Sequence, residues 1–98
     1  MAQYRQTVLS AFQDVADRLA TLDEDANTLG QAGRAAEAAR LADADLAARH
    51  ALGAVPFSAT LASGRQYQNA RVALLRARAA RLSDTAALFL AMGDPPVP

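Results

Sequence analysis

Apolar side chains recur through the first half of the chain in alternating steps of four and three, at Val8, Phe12, Val15, Leu19, Leu22, Ala26 and Leu29. This heptad spacing keeps one stripe of an α-helix against a partner helix. Arg5, Asp14, Asp17, Arg18, Asp23, Glu24 and Asp25 lie off the stripe as a solvated face, and Asp14 and Arg18 form an acid-first i,i+4 pair. Beyond Leu29 the stripe continues through Ala36, Ala39 and Leu46, and Ala buries little area per turn. Gly30 and Gly33 raise the alternative of a break and three helices, since each weakens a helix by about 1 kcal/mol relative to Ala. Strong helix formers on both sides, the lack of Pro and the value of small residues for close helix approach favour one helix over residues 4–51, roughly 70 Å long.

The second half repeats the pattern at Leu61, Gly64, Gln68, Val72, Leu75, Ala79, Leu82, Ala86 and Phe89, which predicts a second amphipathic helix over 58–92. Residues 52–57 read as the turn between them. Gly53 can take a positive φ after the first helix, Pro56 cannot continue the hydrogen-bond ladder but can open a new helix, and Ser58 is the expected N-cap. Gly93 followed by Pro95 and Pro96 is a stop signal, leaving 93–98 as an irregular tail. The fold class is therefore all-α: a long antiparallel, coiled-coil-like hairpin. Its first arm is the longer, so Val8 and Phe12 overhang, and two hairpins covering each other's overhang would make a four-helix bundle.

Composition sharpens this. The chain of 98 residues is 52% hydrophobic, but 26 of those residues are Ala, with 13 Leu, five Val, three Phe and neither Ile nor Trp. Such an inventory fills a narrow seam, not a broad core, and points to burial against other chains. All ten basic residues are Arg; residues 1–49 carry eight acids and five Arg, a balance of −3, and residues 50–98 carry five Arg and two acids, a balance of +3. Arms of opposite sign favour lying side by side.

Reactive chemistry is sparse. There is no Cys, and His50 is the sole His, with Asp43 the one carboxylate on its helical face. That set is too small for a metal site. Phosphate-cradling Gly loops, nucleophile elbows and dinucleotide fingerprints do not occur. Arg65, Arg71, Arg76, Arg78 and Arg81 are scattered around their helix and balanced by the acidic arm, which argues against a nucleic-acid surface. The expectation is a non-enzyme with no catalytic, cofactor-binding or metal-binding residues. No basic and apolar leader opens the chain and no long uncharged apolar run exists, so these residues read as a soluble segment.

"YRQTVLSAFQDVADRLATL", Tyr4 to Leu22, is very similar to the start of the last long helix of TolC-like outer membrane factors, especially the NodT type. "RHALGAVPFSATLASGRQYQNARVALLRARAARLSDTAALFLAMG" resembles that family's tip, its returning helix and its closing segment. The resemblance covers almost the whole chain. It implies a piece of the trimeric exit duct of a tripartite RND efflux system, non-catalytic, serving export of small molecules across the outer membrane in a full-length parent. The first arm would run down the periplasmic α-barrel and the second climb back. Gly53, Ala54, Val55, Pro56, Phe57 and Ser58 would form the tip that meets a periplasmic adaptor protein.

His50 stands where the family has a tip aromatic, Pro56 replaces its Ser, Ala59 and Ala62 replace two aspartates, and Gly64 replaces a Gln, while Gly53, Leu61 and Arg65 persist. The family's signal peptide, membrane strands and first repeat are not within these residues, so the chain reads as an excised or truncated C-terminal piece. Val8, Phe12, Val15, Leu19, Leu22, Leu75, Leu82 and Phe89 are the expected oligomer seam, joining copies as a trimer in the parent or a dimer of this chain. The alternative reading is a stand-alone soluble helical module for homodimerisation or protein interaction.

Overall fold

Nothing between Ala2 and Ala51 forces a helix to stop, and none of the abundant Ala opposes one. In the computed structural model, which describes residues 2–93, this stretch is one α-helix, α1 (Ala2–Ala51), followed by α2 (Phe57–Ala91). Gly30 and Gly33 sit inside α1 without a break. The helices pack antiparallel into a rod of 77 × 27 × 15 Å, and no strand occurs among the described residues. The expected tail lies outside the described residues except for Gly93, which takes φ 67°.

The turn between the helices follows from backbone accounting at the end of α1. Ala54 N–H donates to Arg49 O at 2.9 Å and Gly53 N–H to His50 O at 2.9 Å, with Gly53 at φ 74°. These two bonds are the Schellman arrangement, which satisfies carbonyls that the last helical turn would leave free. Pro56 then stands at the N-cap of α2 in extended conformation, φ −74°, ψ 160°, with no side-chain cap bond. The expected Ser58 cap does not form, because α2 begins at Phe57 and Ser58 already lies within it. Gly53→Ala is expected to cost about 1–2 kcal/mol, the penalty of a Cβ in left-handed backbone, read as a fall in urea midpoint with unchanged helical content.

Burial corrects the facing of the arms. On α1 the inward line is Val8, Val15, Leu22, Leu29, Ala36 and Asp43, spaced by seven, flanked by Asp25, Ala32, Ala39 and Leu46. On α2 it is Ser63, Ala70, Ala77, Asp84 and Ala91, flanked by Thr60, Tyr67, Leu74 and Leu88. Both sets have coiled-coil spacing, but the α2 set is mostly small or polar. Ala36, Ala77 and Ser63 are the buried residues, at 7%, 7% and 6% exposure. The larger stripe predicted for α2 points away, leaving Leu75 59%, Leu82 73% and Phe89 60% exposed.

At the open end the first arm does project. Val8 is half-buried, and Val8, Ala11, Phe12 and Val15 border an open apolar hollow with Ala91 and Met92, while Phe12 remains 70% exposed. The expected Asp14–Arg18 pair is not among the ion pairs of the described residues, which are Glu37–Arg40 and Asp45–Arg49. All of these side chains are exposed, and an exposed pair gains so little from pairing that it need not form at every such spacing.

Candidate functional site

Two surfaces are candidates, the tip and the outward stripe. At the tip, Gly53 and Ala54 make the backbone bonds of the turn, Pro56 caps α2, and Phe57 and Ser58 open that helix. Val55 is half-buried, whereas Phe57 is 61% exposed. Two residues outside the expected contact set, residues 53–58, contribute as well. Leu52, at 85% exposure, projects from the apex, and His50 ties the turn together. Its Nδ1 lies 3.0 Å from Val55 O, and its ring centroid is 5.6 Å from that of Phe57. A carbonyl only accepts, so the bond requires the proton on Nδ1. The local signal was the side chain itself, since an imidazole five residues before Val55 and seven before Phe57 offers both a donor and a ring face.

Just above the tip, the hydroxyl of buried Ser63 donates to Asp43 Oδ1 across the hairpin at 2.7 Å and lies 3.1 Å from Thr60 O. Asp43 therefore serves the interhelical seam, not His50. A Cβ on Gly64 would come within 4.0 Å of the same oxygen, ordinary contact.

Of the expected oligomer seam, the structure divides the residues between two faces. Val8, Val15 and Leu22 turn toward α2 and are half-buried, while Phe12, Leu19, Leu75, Leu82 and Phe89 remain exposed. On α2 the exposed line is spaced by seven and is broadened by Leu61, Val72 and Leu90. This is a helix-docking stripe in its spacing. The exposed Glu37 carboxylate accepts from Arg40 at 2.6 Å, which holds Glu37 below and Arg40 above their ordinary pKa values. This ion pair belongs to the solvated face.

Farther from the tip Asp25 on α1 and Asp84 on α2 are both half-buried on the facing sides of the hairpin. The Asp25 carboxyl is raised above its ordinary pKa, first by hydrogen bonding with Asp84, then by desolvation and the negative charges of Asp84 and Glu24. No group of three or more His, Asp or Glu among the described residues is placed to hold a metal, and no described helix is long and apolar enough to cross a membrane. Comparison with protein-family models, with curated proteins and with solved structures finds no match to the chain.

Proposed function

We propose that the chain is a stave of a helical duct wall: a non-catalytic hairpin of a TolC-like efflux protein that packs against copies of itself and turns its tip toward a periplasmic adaptor. The observation that carries this reading is the inversion of the apolar faces. A self-sufficient hairpin would bury its largest side chains, whereas this one closes on Ala36, Ser63 and Ala77 and leaves Leu75, Leu82 and Phe89 outside.

The surface area agrees. A compact folded monomer of 10.3 kDa exposes roughly 5,400 Å², and this chain exposes 7625 Å². Helices in a closed wall have neighbours on both flanks, so each needs two seams; a narrow seam to its own partner and a broader apolar one outward meet that need. Export would then depend on how neighbouring helices pack, with no bond made or broken. The tip contributes shape and exposed apolar groups, Leu52 and Phe57, in place of the carboxylates at the positions of Ala59 and Ala62.

The coding sequence around these codons tests this assignment. An in-frame neighbour encoding membrane β-strands and a second, related helical hairpin is the expected result. An independent promoter and stop, together with a chain that forms only closed dimers, would instead favour the homodimerisation module.

A further inference from the structure

The interhelical seam carries one feature that neither wall-building nor the tip requires. Asp25, flanking the inward line of α1, and Asp84, on that of α2, are both half-buried. The register set by the Ser63–Asp43 bond runs these two stretches side by side, and Asp25 Oδ2 is sealed from solvent with no hydrogen-bond partner, beside the Asp84 carboxyl that helps raise its pKa. Two ionised carboxylates have no hydrogen between them, so this contact is a bond only when one holds a proton. Of the residues one turn away on either helix, only Arg81 is charged. Arg78 and Arg81 border an open hollow beside Leu29 and Leu82, and neither forms an ion pair with Asp25 or Asp84. Glu24, adjacent in sequence, adds negative charge.

We propose that Asp25 and Asp84 form a proton-operated clasp between the helices, fastening the open half of the hairpin when they share one proton and loosening it when both are ionised. The tip half is held independently by the Schellman turn, the His50–Val55 contact and the Ser63–Asp43 bond, so the response is confined to one end. The sign follows from linkage. A carboxyl whose folded pKa is raised binds its proton more tightly in the folded hairpin. Its stabilisation is complete below the ordinary Asp value of 3.8 and is lost as pH rises through the elevated value of Asp25.

Amide hydrogen exchange of the full chain across residues 22–29 and 81–88, corrected for intrinsic rates, reads the clasp directly. Protection there is expected to rise several-fold from about pH 7 to about pH 4 in the native chain. In Asp25→Asn the amide donates to Asp84 at either pH, so protection is expected to be high throughout and the pH response gone. Asp84→Asn repeats the test from the other helix should the first variant lose helical structure. Equal protection of the native chain at both pH values, or a pH response that survives either substitution in a folded chain, overturns the clasp.

Discussion

Replacing Gly30 and Gly33 together with Ala is expected to stabilise the hairpin by about 1–2 kcal/mol, read as a rise in urea midpoint with unchanged m-value. Both glycines are helical in the middle of α1 and neither has a positive φ, so nothing in the backbone requires them. A Cβ at Gly33 would meet nothing within 4 Å, and one at Gly30 would approach only the guanidinium of Arg34, at 3.5 Å. The gain has two sources, lower chain entropy in the unfolded state and better helix propensity. Close approach of the two arms, the reason sequence alone offers for these glycines, does not operate at Gly33, where the space is open. A loss of stability would show that something absent from the isolated hairpin, such as a neighbouring helix, occupies that space.

Replacing Leu75, Leu82 and Phe89 together with Gln is expected to weaken self-association by roughly two to three orders of magnitude while leaving the hairpin helical. The three side chains lie on one exposed line of α2, on a different face from the inward Ser63, Ala70 and Ala77. Removing them costs the isolated hairpin little, whereas at an interface each apolar side chain contributes on the order of 1 kcal/mol or more. Gln keeps a good helix former at every position. Light scattering after size exclusion, with far-ultraviolet circular dichroism on the same fractions, separates the outcomes. Loss of helix with loss of assembly would mean that the stripe holds the hairpin itself together, contrary to the facing described above.

The elements were legible because their signals are local. Pro56 and Gly53 fix where one helix must end and the next begin, and the absence of Pro through Ala51 fixes the continuity of α1. The facing was only half legible. On α1 the sequence stripe contains Val8, Val15, Leu22 and Leu29, which do turn inward, interleaved with Phe12 and Leu19, which do not. On α2 two stripes share the coiled-coil spacing, one of Leu61, Leu75, Leu82 and Phe89 and one of Ser63, Ala70, Ala77 and Ala91. Reading hydrophobicity selects the first, and the hairpin closes on the second. Periodicity counts residues around one helix; it does not know the rotation at which a short turn presents that helix to its neighbour.

The cross-hairpin contacts were illegible for the same reason. Asp25 and Asp84 are far apart in sequence and look individually like surface charge, as do Asp43 and Ser63. Only the antiparallel register brings each pair together. His50 illustrates the converse case: its neighbours Val55 and Phe57 are close in sequence, but the turn geometry that folds them onto the ring depends on the backbone bonds of Ala54 and Gly53.

Whether the outward apolar stripe needs a partner is measured most directly by sedimentation equilibrium of the unaltered 98-residue chain. The predicted result is reversible association into dimers or larger assemblies that remain helical and dissociate on dilution. A stable, fully helical monomer across the accessible concentration range would contradict it, because the larger apolar face would then have no partner to meet.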